Sequence, residues 1–511
     1  MARVKTNIVT EFGDFQTPPS LAASACALLQ ELGVKAVSIV EPTCGRGAFL
    51  FAAADRWHSA SVVQGLDINA AHLDSAEGIA KGRSDAQRFS LECADFFRID
   101  WSKRVAQLPQ PVLIVGNPPW VTNSGVSALG GSNVPRKSNF QGYEGLGAIT
   151  GKANFDISEW MLIKLAEAVR GRDAVIGMLV KTAVARKILS YCWKNGLSLL
   201  EANLFCIDAA VHFSAAVHAS LIVLRFGPNG GSKRAQVFGQ LSQAIGPLVT
   251  IGLADELVVA DLEAYDKTKH LRGHSILKWR SGIKHDCSKV MELRYDGKRF
   301  SNGLGEMVDV EAEYLYPMRK SSEVASGTLG KCTRWMIVPQ RRVGQSTAEI
   351  AELAPKTWRY LQSHRDFFSK RGSSIYRGKP DFSVFGIGGY TFSPWKIAIS
   401  GMYKRLGFVK VGPCSNKPVV FDDTTNFLPC PSDEGAALML RMLETAAARD
   451  FYRAYIFWDA KRPITIDLLG RLNLHALASE LDVLGEFETH FGPDSRAAGN
   501  REPLAEAPTF W

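Results

Sequence analysis

Val112-Leu113-Ile114-Val115-Gly116-Asn117-Pro118-Pro119-Trp120 decides how this chain folds. The apolar run from Val112 to Val115 fits a parallel strand covered on both faces. Two prolines follow. Each fixes φ and lacks a backbone N–H, so the chain continues neither as ladder nor as helix. Asn117 is left at the carboxyl end of the strand, where open α/β sheets bind their ligands. Its side-chain carbonyl and the Pro118 carbonyl can accept two hydrogen bonds from one exocyclic amino group. Trp120 offers a flat face to a planar ring. Alone, the stretch reads equally well as a proline-stiffened turn capped by Asn117. Its upstream neighbours tip the balance.

Val37–Val40 reads as a short β-branched strand that runs into Glu41-Pro42-Thr43-Cys44-Gly45-Arg46-Gly47-Ala48-Phe49-Leu50. The two glycines permit a tight strand-to-helix turn and close backbone approach to a ligand. Leu50 stands where a dinucleotide fingerprint needs its third glycine, and no G-x-x-x-x-G-K-[ST] occurs, which argues against NAD binding and ATP hydrolysis. The next strand, Ser61–Leu66, ends in Asp67, an acid about 20 positions after a glycine loop that can accept both ribose hydroxyls. A third, Phe89–Cys93, ends in Asp95 and Phe96, suited to an adenine amino group and the face of its ring. Asp67 as a strand-end cap and Phe96 as ordinary core are the plainer readings. Four polar or aromatic signals at the ends of four successive strands weigh against coincidence.

Working outward, Phe12–Ser20 is a loop with Ser20 as cap of a helix bearing Leu21, Ala25, Leu28, Leu29 and Leu32 on one face. After Trp120 comes a long Gly/Ser/Asn-rich segment, Val121–Lys152, of a length that is usually functional. A helix over Asn154–Val169, a strand over Ala174–Val180, a helix over Ala183–Asn195 and strands over Leu199–Phe205 and Ala219–Phe226 continue the alternation. His212 and His218 lack ligand spacing and read as structural. Gly227–Arg234 reads as a domain boundary. Beyond it basic and aromatic residues dominate: from Met318 to Pro380 there are thirteen Lys/Arg against four Asp/Glu, interleaved with Trp335, Trp358, Tyr360 and Tyr376. Arg341, Arg342, Lys370, Arg371 and Arg377 are the candidate phosphate contacts; a solvated basic face is the plainer reading. Phe385–Tyr390 and Phe392–Lys396 look like tight-turned strand pairs.

The net charge of +9 suits a polyanionic partner without requiring one. Nine scattered cysteines, with no C-x-x-C and no zinc-ligand spacing, read as reduced thiols of a cytoplasmic protein with no metal. Met1–Thr10 has no signal-peptide core, and no run of about 18 apolar residues suggests a membrane span.

In this order the residues resemble the S-adenosylmethionine-dependent amino-methyltransferases of DNA, in their TaqI-like gamma group, over roughly the first 230 residues. Thr17-Pro18-Pro19 resembles the amino-terminal cofactor motif, and Glu41–Phe49 the glycine motif. Asp67 matches the ribose acid, Asp95 and Phe96 the adenine clamp, and Asn117-Pro118-Pro119-Trp120 the catalytic tetrapeptide, with Trp where Tyr or Phe is commoner. Lys152-Ala153-Asn154-Phe155 resembles the start of the next motif. Phe213 falls near the aromatic that the family sets opposite the tetrapeptide's ring.

The resemblance implies an α/β chain: a Rossmann-like domain with a mostly parallel sheet over 1–230, then a mixed α+β target-recognition domain over 231–511. It implies methyl transfer to adenine N6 in double-stranded DNA. Asn117, Pro118, Pro119, Trp120 and Phe213 form the catalytic set, with Trp120 and Phe213 as two faces of a slot for the flipped base. Thr17, Glu41, Cys44, Gly45, Gly47, Asp67, Asp95, Phe96 and Asn117 hold the cofactor. It leaves room for a separately encoded restriction endonuclease. Asp459-Ala460-Lys461 fits a nuclease D-x-K, but the nearest preceding Pro-Asp, Pro380-Asp381, is distant. The rivals are cytosine N4, an RNA base or protein amide as acceptor, and a catalytically silent DNA-binding subunit.

Overall fold

The computed structural model describes residues 16–121, 156–327 and 329–493. The Gly/Ser/Asn-rich segment, Lys152–Phe155 and the first fifteen residues lie outside that range. Two compact units divide at Leu262/Glu263.

The first unit is built on a ten-stranded sheet in the order β10-β9-β8-β6-β7-β5-β4-β1-β2-β3. These strands are β1 Ser38–Glu41, β2 Val62–Asp67, β3 Phe89–Cys93, β4 Val112–Gly116 and β5 Ala174–Lys181, then β6 Leu199–Ile207, β7 Ala219–Phe226, β8 Arg234–Phe238, β9 Val249–Ala254 and β10 Leu257–Val259. The five strands from β3 across to β5 are mutually parallel, and β7 runs antiparallel between β5 and β6. Every residue of β4 is buried, as a strand between two helical layers requires. Ile39, Val63, Leu113 and Val115 share one core with Leu28, Leu29, Phe49 and Phe205.

Two local expectations give way. Ser20 does not cap the first helix, which spans Pro19–Glu31 with Pro18 at the cap position. Pro19 suits the first turn because its missing N–H would find no helical acceptor there. Gly227–Arg234 is not a linker either. Gly227 and Ser232 donate to the Ser198 and Leu199 carbonyls, at 3.2 and 2.8 Å, and a Cβ on Gly230 would stand 1.9 Å from the Ser198 oxygen. The turn returns β8 to pair in parallel with β6. The boundary expected at 230/231 therefore falls after Leu262, because β8 to β10 complete the first sheet.

The second unit carries two smaller sheets. One is antiparallel and comprises, in order across the sheet, Arg280–Ser281, Thr425–Cys430, Trp395–Ser400 and Val409–Val411. The other is six-stranded and pairs Glu292–Tyr295 with Arg334–Ile337, and that strand with Leu315–Arg319. Trp335, Met336, Ile337, Leu361 and Phe382 are in its core. The expected strand pair over Phe385–Lys396 does not form: Gly389–Phe392 is a single 3-10 turn, and Trp395 opens a strand that pairs with Cys430.

The rings of Phe205 and Phe238 stack at 4.6 Å and 10°, joining β6 to β8. Full burial of one such side chain stabilises by about 1.5–3 kcal/mol. A fragment ending at Leu262 should stay soluble and melt cooperatively. One ending at Gly230 bares the β6 edge and should aggregate. Identical melting curves for both would show that β8–β10 add nothing.

Candidate active site

Strand order reverses between β1 and β4, which places a crevice at their carboxyl ends. Glu41 ends β1 and Gly116 ends β4. Gly116 has φ +149, and a Cβ there would stand 3.3 Å from the Glu41 Cγ. The glycine turn and the tetrapeptide therefore start side by side.

Glu41 faces inward. Its Oε2 accepts from the Leu50 N–H at 2.7 Å, tying the strand end to the helix Ala48–Ala54. Burial pushes its carboxyl well above the usual glutamate range, with Asp67 adding to the shift and the Leu50 N–H opposing it. Gly45 (φ +50) and Gly47 (φ +83) are left-handed, and a Cβ on Gly47 would lie 2.5 Å from the Phe51 ring. The Cys44 N–H donates to the Leu66 carbonyl at 2.7 Å, and Cys44 is a buried free thiol held protonated by burial. Asp67 accepts from the Gly45 N–H on one oxygen and the Asn69 N–H on the other, both at 2.8 Å. A carboxylate with about four acceptor positions has capacity left for ligand hydroxyls. The cap and ribose-acceptor readings of Asp67 are thus compatible.

Gln16, absent from the expected set, lies over this turn: a Cβ on Gly45 would stand 3.0 Å from its Oε1. Thr17 follows it, half-buried. The Thr43 hydroxyl oxygen is buried and makes no hydrogen bond among the described residues. At β3, Asp95 accepts from the Phe97 N–H at 3.0 Å and its carboxylate lies 3.5 Å from Arg98 Nε. Phe96 is only 5% exposed, 4.7 Å from the Trp101 ring and 6.2 Å from that of Trp160. That is the core position of its plainer reading.

Asn117 and Pro119 are half-buried, and Pro118 and Trp120 buried. Trp120 Nε1 donates to the Leu179 carbonyl at 3.2 Å. Its ring meets Phe213 edge to face, 5.0 Å between centroids at 66°. The expected slot is therefore not open here, because rings in direct edge contact leave no room for a third between them. Phe213 ends the short helix Ala209–Phe213, and Ser214 turns left-handed after it at φ 52.

In the second unit Arg342, Lys370 and Arg377 are exposed. Arg341 is exposed too, but its guanidinium lies 4.4 Å from the Phe392 ring and 5.2 Å from that of Tyr316. Arg371 differs from these in being tied into the fold. It donates to the carbonyls of Phe368, Ser383 and His285 at 3.1, 2.6 and 3.4 Å, and lies 3.6 Å over Tyr376. Three of its five N–H donors are thus spent on the backbone of its own unit, and its side chain is half-buried. Among the described residues no group of three or more metal-ligating side chains occurs, and no helix is long and apolar enough to cross a membrane.

Sheet order, glycine turn and strand-end acids together define a Rossmann-like methyltransferase fold. No family model matches the chain. It is 44% identical over 469 residues to the type II methyltransferase M.NspV of Nostoc sp. (strain ATCC 29411 / PCC 7524), a match covering 92% of this chain and 97% of that protein. The chain belongs to the type II methyltransferases, enzymes of restriction–modification. The type IIL restriction-modification enzyme MmeI, solved in complex with DNA, shares its fold at TM-score 0.52 and 14% identity, over 93% of this chain and 67% of that one.

The Glu41 carboxyl keeps its proton to higher pH in the folded chain than in the unfolded one. Its contribution to stability is full below the unfolded pKa and is lost as pH rises towards the folded value. Glu41→Gln keeps an acceptor for the Leu50 N–H but does not titrate. Its melting temperature should fall less than the parent's as pH rises above the ordinary glutamate range. Equal pH slopes in thermal melts would exclude Glu41 as the source.

Proposed function

We propose that the chain is a site-specific DNA methyltransferase that moves a methyl group from S-adenosylmethionine to the N6 amino group of adenine in a short recognition sequence. One observation carries this reading: Asn117 and Pro118 begin at the strand-order reversal, beside the glycine turn. The cofactor fits the residues present. Gly45 and Gly47 give the turn left-handed φ values and no side chains of its own, Thr43 brings a hydroxyl with no partner among the described residues, and Asp67 lies at the adjoining strand end. When bound, S-adenosylmethionine supplies an electrophilic methyl on a sulfonium sulfur.

The chain's own part is positioning and electrostatics. The Asn117 side-chain carbonyl and the Pro118 carbonyl accept the two amino N–H groups of the target base and aim its nitrogen lone pair at the methyl. The N–CH3 bond forms as the S–CH3 bond breaks, and the methylated nitrogen then loses a proton to water. The base must leave the helical stack for this, since N6 is out of reach within the duplex. Phe213 and Trp120 must part before a base can lie between them. Asn117→Ala should abolish tritiated-methyl incorporation while leaving calorimetric affinity for S-adenosylmethionine near the parent's. N4-methylcytosine in the parent's DNA product would replace the adenine assignment.

DNA recognition belongs, in this reading, to residues 263–511, where exposed Arg342, Lys370 and Arg377 would meet phosphates. Alanine at all three should lower DNA affinity and flatten its salt dependence, by up to about one unit of log–log slope for each phosphate left without its cation. An unchanged salt slope in fluorescence anisotropy would remove these residues from the interface.

A further inference from the structure

The tetrapeptide is tied down by a residue that no motif includes. Lys181 is the last residue of β5, and its Nζ donates to the Trp120 carbonyl at 2.8 Å and to Asp156 Oδ2 at 2.6 Å. Asp156 is buried, and its other oxygen accepts from the Ser158 N–H and hydroxyl at 3.2 and 2.5 Å. One residue on, the Ile157 N–H donates to the Val121 carbonyl at 2.9 Å. Lys181 thus joins the chain immediately before residues 122–155 to the chain immediately after them. It holds the cap position of the helix Thr182–Lys194 but makes no capping bond. Lysine is not a favoured cap, so helix formation does not account for it.

We propose that Lys181, braced by Asp156, is a positioning residue for methyl transfer, an inference that rests on Asn117 holding the target amine. Gly116 pairs with Met178 in the sheet and fixes the start of the tetrapeptide. Trp120 fixes its end, through the ring on Leu179 and the carbonyl on Lys181. The prolines between them lock two φ angles, so little freedom remains at Asn117 once both ends are anchored. Releasing the carbonyl end lets the acceptor pair drift, and a misplacement of about 1 Å costs on the order of 100-fold in rate.

The test uses the full chain. Lys181→Met with Asp156→Asn removes the ammonium without stranding a buried carboxylate. The measurements are melting temperature, S-adenosylmethionine affinity, kcat for methyl incorporation into DNA, and the identity of the methylated base. The double variant should keep the first two and lose on the order of 10- to 100-fold in kcat. Lys181→Arg should recover most of the loss. Parental kcat in the double variant would overturn the proposal, as would a loss that Lys181→Arg fails to rescue. Should the double variant fail to fold, Asp156→Asn alone decides, since it keeps the Lys181–Trp120 bond: a partial fall in kcat supports the brace and parental kcat removes it. A parent that methylates a base other than adenine refutes the adenine reading, while the comparison of kcat values still judges Lys181.

Discussion

The contact between Glu41 and Gly116 is the constraint on which the first unit depends. Two parallel strands end level with each other where the sheet reverses its order, and each turns away into a different functional loop. Any side chain at position 116 would meet the Glu41 side chain. Glycine there leaves the glutamate side chain its room, and its carboxyl holds the first turn of the following helix through Leu50. The cost is a buried acid with no cation beside it among the described residues, and burial raises its pKa well above the usual glutamate range.

From that contact the site spreads along the strand ends by backbone hydrogen bonds. Asp67 reaches back to Gly45, Cys44 reaches across to Leu66, and Trp120 reaches over to Leu179. Each joins a loop to a neighbouring strand, so the loops inherit the rigidity of the sheet. Phe213 differs in kind. It sits on a helix of only five residues that ends in a left-handed serine, and it meets Trp120 ring against ring. A surface held by dispersion opens at lower cost than one held by buried hydrogen bonds.

The second unit uses its cations in two ways that sequence does not separate. Arg371 and Arg341 both lie on aromatic rings, but Arg371 also spends three of its five donors on backbone carbonyls. Lys396, almost fully buried, donates to the Ser393 and Val419 carbonyls, and burial lowers its pKa to about 7. Basic composition therefore overstates the charge this unit offers to a polyanion.

Strands β1 to β7 were legible because their signals are local: β-branched or apolar runs such as Val112–Val115, closed by glycine, proline or acid at one end. The places of Asn117, Asp67 and the two glycines at strand ends were legible for the same reason, since a strand end followed by a special turn is written in adjacent residues. Tertiary structure decided what depends on distant partners. Gly227–Arg234 looks like a linker until β8 finds β6 beside it. Phe96 ends a strand in the sequence, but only the fold brings the Trp101 and Trp160 rings against it. Lys181 carries no motif, and its meaning comes from Trp120 and Asp156, brought to it only by the pairing of β4 with β5. A residue's type sets which bonds it can make; which of them it makes is set by neighbours that the fold supplies.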